Sequence, residues 1–272
     1  MPRPVRAGLL LAATALALLQ PETARAQPPS APPLALAGAP GLRLSVIDLP
    51  GDPSAALDPA ASLWEQAPAT TLLLSRTPRL YQTEPADLPE PPSAEVRAVR
   101  ASSRLVVRLS WTDAIADAPR APEARTGEAG APDLINRRPT GSTSGFSDAA
   151  AVMLPEKWTG PAFPSLVMGD EKTAAILYLW TASRGGEVMR ANGRATTKRL
   201  GQPFPSKAAH DQGRWTATLE IPAPAIETGY PVAFAIWDGH RGDRDGMKFF
   251  SVWYVLAPQR SPSGPAPGSA KP

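Results

Sequence analysis

The chain of 272 residues contains no cysteine, and that one absence removes much of redox and metal chemistry. Disulfides, thiolate zinc sites, iron–sulfur ligation and covalent attachment of a c-type haem through a Cys-x-x-Cys-His run are all excluded within this chain. Histidine is nearly as scarce, with only His210 and His240. A Ser/His/Asp triad would have to use one of them, and neither lies in a Gly-x-Ser-x-Gly context. A P-loop and a Gly-x-Gly-x-x-Gly turn are also missing, and the acidic residues are scattered through loops rather than paired on recognisable strands. Hydrolysis, phosphoryl transfer and nucleotide binding are therefore disfavoured. Charge is modest in both signs, with 28 Lys+Arg against 25 Asp+Glu, and nothing points to nucleic acid. No apolar run approaches the roughly twenty residues of a membrane-spanning helix.

Proline is abundant, 34 in 272 residues, which is too many for a helical bundle and suits short strands joined by irregular loops. Arg3 and Arg6 precede the apolar run Ala7 to Leu19, and Ala24-Arg25-Ala26 offers a cleavage point. This pattern reads as a secretory signal peptide over residues 1–26. Pro4-Val5 separates the two arginines, so a twin-arginine signal is absent and general secretion to the periplasm is expected. Cleavage would remove Arg3, Arg6, Arg25 and Glu22 and leave a net charge near neutrality. Residues 27–40 and 258–272 are Pro/Ala-rich without periodicity and read as disordered tails. A single domain over residues 41–257 remains.

Within that domain the clearest alternation is Arg104 to Trp111, which puts Leu105, Val107, Leu109 and Trp111 on one face and Arg108 and Ser110 on the other. Further strands are expected at Leu42–Val46, Thr70–Ser75, Glu95–Arg100, Asp148–Leu154, Ala174–Ala182, Arg214–Ile221, Pro231–Trp237 and Lys248–Leu256. The Ala101-Ser102-Ser103 turn makes a hairpin of two of them. Nine to eleven short strands without a long helix predict an all-β fold, an antiparallel β-sandwich of immunoglobulin-like or carbohydrate-binding-module-like type with long loops. The stretch Asp113 to Ser147 is longer than an ordinary connection and is a candidate docking element. The seven tryptophans keep open a second reading, a secreted carbohydrate-binding or sensor module without haem. Trp64, Trp111, Trp215 and Trp237, however, fall at core-like phases.

Two stretches are unlike ordinary structural sequence. Phe163 to Asp170 places Met168 directly before a Gly-Asp turn. Trp237 to Tyr254 is a charged Gly/Asp/Arg loop that enters an apolar strand through Lys248. On residue type alone, Met168 reads as a gap-filling methionine and Lys248 as a solvated strand-end lysine. His210 and His240 read as loop residues, His240 being the alternative ligand beside the charged hairpin. Met247 competes with Met168, but adjacent strand residues point to opposite faces, so Met247 and Lys248 could hardly serve one site together.

The segments Phe146 to Ala151, Val167 to Asp170, Tyr178 to Ala182 and Arg244 to Tyr254, in that order, resemble the haem-binding gamma subunit of ethylbenzene dehydrogenase. Related subunits occur in dimethylsulfide dehydrogenase, chlorate reductase and selenate reductase. The resemblance spans roughly Leu63 to Leu256. It implies a β-sandwich holding one non-covalent haem b between an axial methionine and an axial lysine. The methionine falls on Met168 by its Met-Gly-Asp turn and the lysine on Lys248 by its Asp-Gly-x-Lys strand entry. Thr181 departs from the lysine that several relatives carry after the tryptophan. Arg241 and Arg244 are candidate partners of the haem propionates, because a guanidinium matches carboxylate geometry.

The chemistry is coherent with that implication. A thioether ligand raises a haem potential. A lysine ligates only as the neutral amine, which requires a site that depresses its pKa far below about 10.4. With both axial positions filled, the iron would carry electrons rather than activate substrate. What the resemblance implies is a periplasmic haem b electron-transfer subunit of a molybdenum oxidoreductase. Its partners would be a molybdopterin catalytic subunit, an iron–sulfur subunit and a soluble cytochrome c or similar carrier. The same domain could also serve another respiratory complex or act alone.

Overall fold

The computed structural model describes residues 42–77, 90–118, 146–160, 163–193, 196–201, 203–224, 229–243 and 246–259. The expected leader, the 27–40 segment, most of the 113–147 stretch and nearly all of the C-terminal tail lie outside the described residues. In chain order the strands are β1 (Arg43–Asp48), β2 (Thr70–Thr71), β3 (Leu74–Arg76), β4 (Ala94–Ala101), β5 (Arg104–Thr112), β6 (Ala149–Pro155) and β7 (Ala175–Thr181). They continue with β8 (Gly185–Ala191), β9 (Lys198–Arg199), β10 (Ser206–Asp211), β11 (Arg214–Pro222), β12 (Pro231–Trp237), β13 (Phe249–Ser251) and β14 (Tyr254–Pro258). Two 3-10 turns, Pro53–Leu57 and Ser62–Glu65, are the helical elements among the described residues.

Period-two patterning builds two layers. The first has the order β10-β11-β5-β4-β1-β14, and the second runs β12-β6-β7-β8-β9, with β13 bridging β12 and β3. Val96, Leu105, Leu109 and Trp111 of the first layer meet Val152, Leu154, Phe234 and Ile236 of the second in the main core. Trp111, Trp180 and Trp215 close one end of it, with ring centroids 5.1–6.2 Å apart. The fold is the expected all-β sandwich, with one topological difference: β1 pairs in parallel with both β4 and β14. Because β14 also pairs with β12, the two layers share a continuous hydrogen-bonded edge.

The structure also shows strands that the sequence pattern does not announce. Gly185-Gly186 starts β8 rather than merely ending β7, and β10 places His210 on a strand, not in a loop. The expected Lys248–Leu256 strand is two strands, broken at Val252-Trp253, and Thr70–Ser75 is likewise divided. Each break lets the chain leave one partner strand for another.

The central strands β6 and β12 are buried along their whole length, every residue of Ala149–Pro155 and Pro231–Trp237. Only one of their faces has a sheet opposite it. The outward face is floored by Met153, Ala175, Leu177 and Ala233 and roofed by Phe163, Leu166, Met168 and Trp253. The candidate site lies in this second, smaller interior.

Candidate functional site

Met168 sits in the loop between β6 and β7, which is organised by one carboxylate. Asp170 accepts hydrogen bonds from the backbone N–H groups of Ser165, Lys172 and Thr173 at 2.9–3.2 Å. Although partial burial pushes its pKa up, those three donors hold it below the ordinary carboxylate range. Gly169 N–H bonds back to Ser165 O, and Gly193 N–H to Met168 O. Met168 has φ +69° and Gly169 φ +76°, a left-handed pair that only glycine adopts freely. A Cβ at position 169 would stand 2.8 Å from both Ala175 N and Thr173 O, so the Gly of the Met-Gly-Asp turn is sterically required. No such steric demand explains a methionine at φ +69°, and backbone strain of this kind clusters at functional positions.

Lys248 lies just before β13, and its carbonyl accepts from Thr77 N–H and Thr77 Oγ1 at 2.9 and 3.1 Å. Its side chain turns inward, the residue being only 7% exposed. The ammonium stands 5.1 Å from the centroid of the Trp237 ring, in cation–π range. The loop leading to it is anchored by Asp243, whose buried carboxylate pairs with Arg76 at 2.7 Å and accepts from Asp238 N–H. Burial pushes the Asp243 pKa up, with Arg76 opposing.

The two residues, 80 positions apart in sequence, meet: Lys248 Nζ donates to Met168 Sδ at 3.4 Å. They border a narrow cleft whose remaining walls include Ala151, Met153, Leu166, Leu177, Ala233, Ala235 and Phe250. Trp253 braces the roof by donating Nε1–H to Pro164 O at 3.0 Å. A thioether, an amine and apolar walls fit a soft-to-borderline metal centre with a flat apolar periphery. Were both atoms to hold one metal ion, two bonds of about 2.0–2.3 Å would together exceed the present 3.4 Å contact. The tips would then have to part, which the unbranched, three- and four-bond side chains permit.

Arg241 is placed elsewhere: its Nε pairs with Asp238 at 3.0 Å, and it does not line the cleft. Arg244 lies outside the described residues. His240 is largely exposed, with Nδ1 3.8 Å from Asp117, and neither it nor Met247 borders the cleft. Thr181 closes the end of β7 and accepts from Arg184 N–H. Six of the seven tryptophans are buried, so among the described residues there is no exposed aromatic platform of the kind a sugar-stacking module presents.

Two features were not read from sequence. The first is the alanine floor, alternate residues on β6 and β12 that are small on the outward side. The second is Asp148, which accepts from Gly239 N–H, Asp117 N–H and Trp215 Nε1–H at 2.6–2.9 Å. It joins the Phe146-Ser147-Asp148 and Trp237-Asp238-Gly239 segments. A Cβ on Gly239 would collide with the Phe146 carbonyl, so both motifs have a structural rationale.

Fold and cleft together define a β-sandwich in which a half-buried Met168 meets a buried Lys248 over the outer face of one sheet. Comparison with known proteins names the relatives. The chain is 29% identical over 222 residues to a candidate haem subunit of a respiratory nitrate reductase, ORF7, from Haloferax mediterranei, covering 76% of this chain and 70% of that protein. It is 28% identical over 213 residues to the chlorate reductase gamma subunit of Ideonella dechloratans, covering 74% and 79%. The resemblance to reductase gamma subunits read from the motifs is thus borne out. No family model matches the chain. Among solved structures, a carbohydrate-binding protein candidate from Bacteroides uniformis superposes over 82% of this chain and 92% of that one with TM-score 0.45 at 9% identity. A family 9 carbohydrate-binding module from Caldicellulosiruptor kristjanssonii does so over 76% and 84% with TM-score 0.33 at 12%. Likenesses this distant carry no argument about function.

Proposed function

We propose that the chain is a periplasmic haem b electron-transfer subunit of a molybdenum oxidoreductase, passing single electrons between an iron–sulfur subunit and an external carrier. The observation that carries the proposal is the approach of Met168 Sδ and Lys248 Nζ to 3.4 Å in an apolar cleft. The names of the two relatives, a haem subunit and a gamma subunit of reductases, support it. A haem b held by both residues would supply a one-electron couple of raised potential, because a thioether favours ferrous iron.

The chain's own part is to hold the two donors. The Asp170-centred turn and Gly169 fix the backbone of Met168. Thr77 and the Arg76–Asp243 pair fix the approach to Lys248. The alanine floor and the Phe163–Trp253 roof exclude water, which favours the neutral amine over the ammonium.

The test is an optical spectrum of the secreted mature protein with haem supplied, oxidised and then dithionite-reduced, beside Met168→Ala and Lys248→Ala. A low-spin b-type spectrum that moves to high spin in either variant is the expected result. A folded wild type that takes up no haem overturns the reading and returns first place to a haem-free binding module. The 113–147 stretch remains the proposed docking element. Deleting Ala116 to Thr140 should abolish assembly with the iron–sulfur partner, and unchanged assembly would end that idea.

A further inference from the structure

Away from the cleft, three strand ends bring acidic side chains together. Asp113 follows β5, Asp148 precedes β6 and Asp238 follows β12, and one carboxylate oxygen from each lies within 4.8 Å of the other two. Asp148 is fully buried and Asp113 is 7% exposed. Three carboxylates at such spacing cannot all ionise without a compensating charge. Arg241 provides one, but only to Asp238, through its Nε and backbone N–H at 3.0 Å.

Asp113 adds a separate observation. Its Oδ1 accepts from Ile115 N–H at 3.1 Å, while its Oδ2 is buried without a hydrogen-bond partner. A buried, unpartnered carboxylate oxygen costs folding free energy unless something fills the position. Asp117 Oδ2, beside the same cluster, is also buried without a hydrogen bond. Asp117 and Asp148 are tied by two hydrogen bonds, Asp148 N–H to Asp117 O and Asp117 N–H to the Asp148 side chain at Oδ2.

We infer that Asp113, Asp148 and Asp238 form a binding site for a hard divalent cation of the calcium class. Oxygen ligands stand about 2.3–2.6 Å from calcium, so ligands on opposite sides of one ion are about 4.6–5.2 Å apart. Separations of 4.8 Å or less are those of oxygens sharing an ion. A set made of carboxylates alone selects calcium, magnesium or manganese over zinc or copper. The ion would clamp the end of β5 and the start of β6 to the end of β12. This cation site does not depend on haem.

Trp215 donates its indole N–H to Asp148 at 2.9 Å and supplies an antenna for the test. The full chain is stripped with EDTA, then titrated with Tb³⁺ under tryptophan excitation and with Ca²⁺, Mg²⁺ and Mn²⁺ by calorimetry. One ion per chain is expected, with sensitised Tb³⁺ emission that Ca²⁺ displaces. Calcium at 100-fold over its Kd should raise the unfolding midpoint by about 5–10 °C. Asp113→Asn and Asp238→Asn should each weaken binding by about tenfold or more. If the stripped wild type binds none of these ions and shows no Tb³⁺ emission, the cluster holds a shared proton instead and the proposal fails. The wild-type titration decides this even if a variant does not fold.

Discussion

The two faces of the β6–β7–β12 sheet are both buried, yet they are built differently. Inward, Val152, Leu154, Phe234 and Ile236 interlock with a second sheet, and a tryptophan trio closes the end. Outward, the same strands present Ala149, Ala151, Ala233 and Ala235 at the centre, flanked by Met153, Leu177 and Trp237 and covered by a loop and a short strand. The inward face spends side-chain volume on packing, which is where large-to-small changes are costly. The outward face withholds volume, and a strand that is apolar on both sides but small on one leaves room for a flat ligand.

That contrast can be broken by choosing the face. Trp111→Ala, on the inward side, should destabilise by about 3–5 kcal/mol in urea unfolding while leaving the haem spectrum of the folded fraction unchanged. Gly169→Ala should cost about 1–3 kcal/mol through its left-handed backbone and also displace Met168, reducing haem affinity. Ala233→Leu should overfill the outward floor, costing about 1–3 kcal/mol in stability but abolishing haem uptake in a pigment-binding assay. Met168→Gly sharpens the comparison most, though its stability effect is smallest. Relief of φ +69° should leave the haem-free protein as stable as wild type or up to about 1 kcal/mol more so, while the low-spin signature disappears. Should Ala233→Leu bind haem normally, or Trp111→Ala lose it in the folded state, the division of labour between the faces would be wrong.

What the sequence made legible follows the same division. Alternation along Arg104–Trp111 places β5 almost to the residue, although its second face is covered as well, with Val106 packed against Ala56 and Trp64. Strand β10 has no large apolar residue, Ser206 to Asp211, and lies at the edge of its layer, so periodicity alone gives it no signal. Strand β8 opens with two glycines and reads as a turn. The parallel insertion of β1 between β4 and β14 depends on pairing across the whole chain. At the site, Met168 and Lys248 stand out because each interrupts its surroundings, a long thioether at a tight turn and a cation at the mouth of an apolar strand. The three aspartates do not stand out. Each is an ordinary strand-end acid, and only the fold brings position 113 to 148 and 238.

The cleft is assembled from distant stretches of chain, and this sets an order of events. Met168 is delivered by the β6–β7 connection, whereas Lys248 arrives only with β13, the piece stitched between β12 and β3. The two donors are therefore together only once β13 has paired with β12 and β3. A ligand that needs both donors would be taken up after that pairing, beside the N–H···S contact of 3.4 Å. A thioether is a weak acceptor, so this contact can open without disturbing the sandwich beneath it.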